Sequence, residues 1–376
     1  MTLADASLTN DEAWMAKAIQ IAQQGLYTTD PNPRVGCVIT KDDKLITEGW
    51  HEFAGGPHAE INAIAGISIS AGCDIYVTLE PCFHFGLTPP CVDSLIKIMP
   101  ARVVVAMQDP NPLVQGASIR KLRDAGISVE SGILENQSRA LNPGFIKRME
   151  SGRPFVRLKM AMTIDGKSAL KNGASQWITG SEARMDVQRL RARSSAVLST
   201  AQTVIMDDAG LNVRLNSAEL NQSRAVRQPL RVILDSKLKL TGHEKMFQLD
   251  GPILIYTTVD QSMARARFEG IKAEVVHINR QEDGRINLEQ LLDDLGSRGI
   301  NELHCECGPE MAGSLISGNL VDELVLYIGT RIFGSDARSL FNFDTLTEIN
   351  QAAKYDLKDI LQLGDDLRLT YLPEKT

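Results

Sequence analysis

His58-Ala59-Glu60, then Thr78-Leu79-Glu80-Pro81-Cys82, then Thr88-Pro89-Pro90-Cys91: these stretches decide how the first half of the chain is read. One imidazole and two thiolates form a soft three-ligand set, suited to a tetrahedral zinc whose fourth position stays open to water. Structural zinc ordinarily has four protein ligands, so three ligands beside a carboxylate predict a catalytic ion. Such a metal lowers the pKa of its water toward ~7, and Glu60 is the obvious proton carrier. Geometry imposes one condition. Positions i and i+2 do not share a helix face, so His58 must sit at or before the first helical turn, a placement that Pro57 favours. The alternative is a closed structural site with a fourth protein ligand, for which His84 is the candidate near in sequence.

Around these stretches the first half alternates helix and strand. Trp14, Ala18, Ile19 and Ala22, with a stop at Gly25, predict a helix over 11–24. Strand-like runs cover 35–40, 45–50, 75–79, 102–107 and 127–130, with helices after Pro57, over 90–98 and over 116–125. The pattern predicts an α/β layered domain with parallel neighbours. A closing helix over 135–150 and the joint Ser151-Gly152-Arg153-Pro154 set domains at 1–150 and 151–376. A second α/β series follows, with strands over 155–161, 196–199, 231–234, 253–257, 303–306 and 323–330. Its clearest helices cover 181–193, 288–296 and 309–316.

Composition narrows the class. The 376 residues suffice for two cores, and 43% hydrophobic with 23% charged residues excludes disorder, collagen and coiled coil. Forty basic against 47 acidic residues give a net charge of −7 without a basic stripe, which argues against a nucleic-acid partner. No apolar run approaches the ~18–20 residues of a membrane span, and the first residues lack the basic start and apolar core of a signal peptide. The expectation is a cytoplasmic protein with no membrane partner. Its six cysteines are then thiols or metal ligands, with Cys37 and Cys73 expected to be buried.

H-x-E followed by P-C matches the zinc-deaminase signature in order, but eight residues, Phe83 to Pro90, separate the cysteines where the signature has two. This spacing, flanked by Thr78–Cys82 and Thr88–Cys91, resembles the deaminase half of the bifunctional deaminase–reductases of bacterial riboflavin biosynthesis. Pro31–Cys37, Gly56–Glu60 and Gln108–Pro112 carry the same resemblance. It implies a cytidine-deaminase-like α/β/α layered domain with Zn2+ held by His58, Cys82 and Cys91. Glu60 would be the catalytic acid and base, with Asn32 and His51 lining the pyrimidine pocket. His84, Asp109 and Asn111 would contact the ribose phosphate. Leu87 stands where the family typically has Arg or Lys, and leucine cannot pair with phosphate. Asn32 and Asp109 keep a second reading, since either residue type also holds a Pro-rich turn.

The second half contains no G-x-G-x-x-G, and Gly166-Lys167-Ser168 is no P-loop because Ala161 replaces the first glycine. Glu306–Ser314 offers another phosphate site: a strand end, Gly308, then Pro309 opening a helix with free N–H groups. Strand–Gly-Pro–helix is equally a structural turn. The segments 158–166, 175–179, 211–214, 234–236 and 306–314 resemble the reductase half of the same family. The resemblance implies a dihydrofolate-reductase-like α/β domain using NADPH. Ala161, Trp177, Thr203, Asp207, Ser236 and the segment Gly308, Pro309, Glu310, Met311, Ala312, Gly313 and Ser314 would be cofactor positions. Ser175, Arg191, Leu211, Arg214 and Glu306 would be substrate positions, with the two arginines facing one phosphate. Their other readings are a solvated helix face for Arg191 and a loop salt bridge for Arg214. Lys159, a charge inside an apolar strand, needs a partner or a pocket. It is expected to orient or protonate the sugar, with Asp207 or Glu306 beside it.

The expected function is two consecutive steps on one chain. Zinc-dependent deamination of a diaminopyrimidinone ribosyl phosphate precedes NADPH-dependent reduction of the ribosyl to a ribityl chain. The partner is then a small phosphorylated pyrimidine, and the resemblance implies a homo-oligomer, dimer or tetramer. Two rivals are a free-nucleoside or nucleic-acid deaminase with an appended domain, and a binding module with structural zinc.

Overall fold

The computed structural model describes residues 9–66, 71–83, 90–112, 114–281 and 284–374, and the chain divides into two compact units, Met1–Gly152 and Arg153–Thr376. In chain order the first unit comprises α1 (Asn10–Ala22), β1 (Gly36–Lys41), β2 (Lys44–Trp50), α2 (Ala59–Ile64), β3 (Asp74–Val77) and α3 (Cys91–Ile98). It continues with β4 (Arg102–Val105), α4 (Ala117–Asp124), β5 (Ser128–Ser131), α5 (Glu135–Leu141) and α6 (Pro143–Ser151).

Its sheet has the order β2-β1-β3-β4-β5. β3, β4 and β5 are parallel, whereas β1 is antiparallel to both β2 and β3. The expectation of parallel neighbours thus fails at one edge. Asp42 and Asp43, both at positive φ, close a hairpin too short for a crossover. Cys37, Ile39, Ile75, Val77, Val103 and Val105 pack under α2, α3 and α4. Val38, Tyr76 and Val104 pack on the opposite side with Met15, Ala18 and Leu141. Strands buried on both faces read as continuous apolar runs, which is why the sequence revealed them. At Gly49 a Cβ would lie 2.4 Å from the Ala63 amide nitrogen, so α2 seats directly on β2. The helix expected over 135–150 is two helices. Pro143 has no N–H to continue the ladder, and Asn142 at the break clamps Arg34, accepting its amide at 2.8 Å and donating to its carbonyl at 2.9 Å.

The second unit runs β6 (Phe155–Met162), β7 (Lys167–Ala169), α7 (Ser181–Arg193), β8 (Ala196–Thr200), α8 (Ala201–Asp207), β9 (Leu230–Leu234), β10 (Ile253–Thr257) and α9 (Gln261–Arg267). Then come β11 (Glu274–His277), α10 (Leu288–Ser297), β12 (Glu302–Glu306), α11 (Pro309–Ser317), β13 (Glu323–Ile328), β14 (Arg338–Ser339), β15 (Tyr355–Leu363) and β16 (Asp366–Pro373). Nine strands form one sheet, β11-β10-β9-β8-β12-β6-β13-β16-β15, and β7 pairs with β14. β11 through β13 are parallel, and the β15–β16 hairpin adds an antiparallel edge.

α10 and α11 cover one face through Leu291, Leu292, Leu295, Ala312 and Leu315. α8 and α9 cover part of the other with Val204, Ala264 and Phe268, and α7 packs Ala183, Val187 and Leu190 on Val325 and Tyr327. Between these clusters β6 and β12 carry charge. Buried Arg157 donates to Glu302 at 3.0 Å and also pairs with Glu323. Lys159 lies in register with Glu306. β15 is mostly exposed, and the charges Asp356, Lys358 and Asp359 and a register shift between Leu357 and Asp359 interrupt its apolar alternation, so periodicity does not reveal it as a strand.

Candidate active sites

His58 is the extended N-cap of α2 and Glu60 its second residue, the placement that lets positions i and i+2 share a site. Cys82 follows β3, and Cys91 is the first residue of α3, with Pro90 as cap. One ligand atom each from His58, Cys82 and Cys91 lies within 4.8 Å of the others. Cys91 Sγ is 3.2 Å from His58 Nδ1, and the Cys91 amide donates to Cys82 Sγ at 3.2 Å. Contact between the two thiols holds Cys82 down to about 4, while the same contact and burial push Cys91 up. A dication would remove that conflict by accepting both sulfurs as thiolates. Glu60 is buried with no hydrogen bond to Oε2, and burial pushes its carboxyl up to about 7. Two soft sulfurs, one imidazole nitrogen and an unpartnered buried carboxylate oxygen fit a zinc with a reactive water beside it.

A residue that local sequence gave no role holds this arrangement. Buried Glu80 accepts amides of Asp109 (3.2 Å) and Gly116 (2.9 Å) on Oε2, and of Ser118 (3.1 Å) and Ile119 (3.4 Å) on Oε1. α4 has no side-chain cap at Gly116, so Glu80 caps it from another segment. Ser118 Oγ then donates to the Pro81 carbonyl at 2.5 Å, tying the residue before Cys82 to α4.

Asn32 and His51 come together beside the cluster. Asn32 Nδ2 is 3.1 Å from His51 Nε2, and His51 Nδ1 is 2.9 Å from the Pro57 carbonyl. Nδ1 is then the donor, so Nε2 accepts from Asn32. The His51 and His58 rings meet edge-on at 5.5 Å. Asp109 holds its own turn, with Oδ1 accepting the Asn111 amide at 2.8 Å. His84 and Leu87 lie outside the described residues. Cys37 and Cys73 are buried thiols.

The second unit contains a cleft of about 1530 Å³. Lys159, Ala161, Ser175, Trp177, Arg191, Thr203, Asp207, Leu211, Arg214, Ser236, Glu306, Gly308, Pro309, Glu310, Met311 and Ser314 all line it. Gly308 caps α11 in extended conformation and Pro309 is the first helical residue, so that helix opens onto the cleft. Ala312 and Gly313 depart from the expectation and are not among the lining residues. Ala312 belongs to the core, and a Cβ on Gly313 would lie 1.9 Å from the Asn342 carbonyl oxygen, so both serve packing.

The cleft's charged residues differ in whether a carboxylate pairs with them. Arg191 lines the cleft as expected and is neither a solvated helix-face residue nor unpartnered: it grips Glu306 at 2.5 and 2.9 Å and donates to the Asn212 carbonyl at 3.0 Å. Glu306 is thereby neutralised. Against the cost of burial, Arg191 and His304, whose Nε2 lies 3.4 Å away, hold it well below the usual carboxylate range. Lys159 forms no ion pair with Asp207 or Glu306. Its Nζ lies 5.7 Å from the centre of the Tyr327 ring, and burial lowers its pKa against the pull of Glu306. Arg184, which no sequence motif marked, also lines the cleft, with its guanidinium 4.6 Å from the centre of the Trp177 ring.

Two family models match in series: the cytidine and deoxycytidylate deaminase zinc-binding region over residues 8–107, and the RibD C-terminal domain over residues 154–369. The chain belongs to the RibD family of riboflavin-biosynthesis enzymes. Riboflavin biosynthesis protein RibD of Haemophilus influenzae is 42% identical over 97% of this chain and 98% of its own. The Escherichia coli protein is 41% identical over 96% and 98%. Acinetobacter baumannii RibD superposes with a TM-score of 0.88 at 40% identity, covering 97% of this chain and 99% of that structure. A Thermotoga maritima protein described as a diaminohydroxyphosphoribosylaminopyrimidine deaminase/5-amino-6-(5-phosphoribosylamino)uracil reductase gives 0.83 at 33% identity, with 97% and 99% coverage. The RibD likeness spans both units, so the chain is a bifunctional enzyme with a deaminase half followed by a reductase half. No helix among its described residues is long and apolar enough to cross a membrane.

Proposed function

We propose that the first unit hydrolytically deaminates 2,5-diamino-6-ribosylamino-4(3H)-pyrimidinone 5′-phosphate. The second unit then reduces the ribosyl group with NADPH, giving 5-amino-6-(5-phospho-D-ribitylamino)uracil. The observation that carries the first step is the meeting of His58, Cys82 and Cys91 beside buried Glu60, whose Oε2 has no hydrogen-bond partner. These three residues would hold Zn2+, which when bound supplies Lewis-acid activation of the attacking water. Glu60 takes that water's proton on Oε2 and delivers it to the departing amine, a transfer favoured by a carboxyl pushed up to about 7. His51 and Asn32 stand against the metal ligand His58 and orient the pyrimidine ring by hydrogen bonds.

In the second unit the cleft takes cofactor and sugar together. The α11 N-terminus at Gly308–Glu310 receives a cofactor phosphate. Thr203, Asp207 and Ser236 flank the cofactor, and Trp177 and Ser175 border the shared opening. Lys159 orients the ring-opened sugar and gives it a proton; NADPH, when bound, would supply the hydride. Its lowered pKa and lack of an ion-pair partner support that role. Unpaired thiols at all six cysteines support the cytoplasmic placement. The exposed edge strand β15, bearing Leu357, Ile360 and Leu361, supports assembly as a homo-oligomer. The test is incubation of the purified protein with the diaminopyrimidinone phosphate, following ammonia and then NADPH oxidation. Both signals in sequence are expected. Ammonia without NADPH oxidation removes the second step, and no ammonia removes the first.

A further inference from the structure

Lys159 reaches the cleft from β6, yet the group that stands behind its ammonium is uncharged. Glu306, opposite it in register on β12, is gripped by Arg191, and Lys159 forms no ion pair among the described residues. Its Nζ stands instead 5.7 Å from the centre of the Tyr327 ring. That separation is within the ~6 Å over which a ring face attracts an ammonium. Tyr327 is fully buried on the neighbouring strand β13, opposes Ala161 in register, and is not among the residues lining the cleft.

The ring is itself held. Tyr327 Oη donates to Asp186 Oδ2 on α7 at 2.6 Å. Arg368, opposite Tyr327 on β16, donates from Nη1 to both oxygens of the same carboxylate at 3.1 and 3.3 Å. It also reaches Asp359 on β15 at 3.1 Å. Asp186 thus has a balancing cation, and the phenol keeps its proton, since burial and the adjacent carboxylate push its pKa up. Ala183, Val187 and Leu190 of α7 pack around the ring with Val325.

A carboxylate and an aromatic face steady an ammonium differently. The carboxylate accepts its N–H bonds and can take its proton, whereas the ring attracts the charge and leaves the N–H groups to other acceptors. We infer that Tyr327 is a positioning residue for the reductase step: its ring face, set by Asp186 and Arg368, holds the Lys159 ammonium charged and turned toward the cleft. The inference rests on the proton-donor role proposed for Lys159. Other groups also act on this ammonium. Burial lowers its pKa most and Arg191 of α7 adds to that, while Glu306 and Cys307 at the end of β12 and Asp207 of α8 oppose them. On its own strand Arg157 is taken up by Glu302 and Glu323.

The test compares two rings of nearly one shape in the full chain: Tyr327→Phe, and pentafluorophenylalanine placed at residue 327. Fluorination reverses the ring quadrupole, so the face repels a cation. With already deaminated substrate, Tyr327→Phe loses the tie to Asp186 and should lower reductase kcat about two- to fivefold. The fluorinated ring should lower it about tenfold further, with KM for NADPH staying within about twofold. A proton donor works only while charged, so kcat falls as pH rises through the Lys159 pKa. The fluorinated ring destabilises the ammonium and should bring that limb about one pH unit lower than phenylalanine does. Equal kcat and coincident limbs in the two variants overturn the inference, because the ring would then only fill space. A rise in KM for NADPH with kcat unmoved overturns it too. An independent arm needs no turnover: trace acetylation with acetic anhydride across pH, read by peptide mass spectrometry, reports the pKa of Lys159 itself. A fall of about one unit from phenylalanine to the fluorinated ring supports the hold on the ammonium even if Lys159→Met leaves turnover undiminished, a result that would sink the proton-donor role instead. A Lys159 pKa that is the same with both rings overturns the inference.

Discussion

Replacing Glu80 with alanine should unfasten the deaminase centre without touching any residue that would bind metal. Glu80 accepts amide bonds at 2.9, 3.1, 3.2 and 3.4 Å from Gly116, Ser118, Asp109 and Ile119. Ser118 and Ile119 are buried, so water cannot replace the lost acceptor there, whereas it reaches the half-buried Asp109 and Gly116. At ~1–3 kcal/mol for each orphaned buried donor, with a smaller sum for the other two, the loss is about 3–5 kcal/mol. A domain holds only ~5–15 kcal/mol in all. Calorimetry should therefore show the midpoint of the first unit falling by about 10 °C. Because Ser118 also holds the Pro81 carbonyl, bound zinc and ammonia release should fall together. NADPH oxidation with already deaminated substrate should persist. Glu80→Gln, which keeps one acceptor oxygen, should lie between. A midpoint shift below about 2 °C, with zinc content intact, would refute the capping account.

Glu60→Gln should lower deamination by about 10²–10⁴-fold with zinc content unchanged, since it removes the proton carrier but none of the proposed ligands; equal loss of metal would reassign Glu60 to a structural role. Chelation, or Cys91→Ser, should abolish ammonia release and leave NADPH oxidation intact, measured on separately supplied substrates. Lys159→Met should cut reductase kcat and spare deamination; undiminished turnover would dismiss the proton-donor role. The same variant should raise the melting temperature near neutral pH. Burial lowers the Lys159 pKa below 10.5 in the folded chain. The unfolded chain therefore binds the extra proton across that window, and native stability climbs with pH until 10.5. Methionine removes this slope, which denaturation at several pH values would reveal.

Much of this protein was legible along the chain because its signals are local. The identities and order of His58, Glu60, Cys82 and Cys91 named a metal chemistry before any fold was known. Pro57 placed His58 at a helix start, and α2 begins there. Doubly buried strands announced themselves as β-branched runs, and Gly308-Pro309 marked a helix mouth that opens onto the cleft. Short elements passed unread, as did the solvated edge strand β15, whose alternation is broken by charged residues and a register shift.

Which polar side chain neutralises which other was decided only in three dimensions. Arg191 and Glu306 lie 115 positions apart, and nothing in either neighbourhood says they will meet. Yet their pairing orders two cleft-lining residues that the chain gives no sign of joining. Glu80 reaches amides 29 to 39 residues downstream, and a carboxylate beside a Pro-Cys pair gives no local sign of that reach. Residue type and helical or strand spacing are properties of neighbours along the backbone, so sequence alone carries them. Charge compensation depends on separations through space, which only the packed sheets and helices determine.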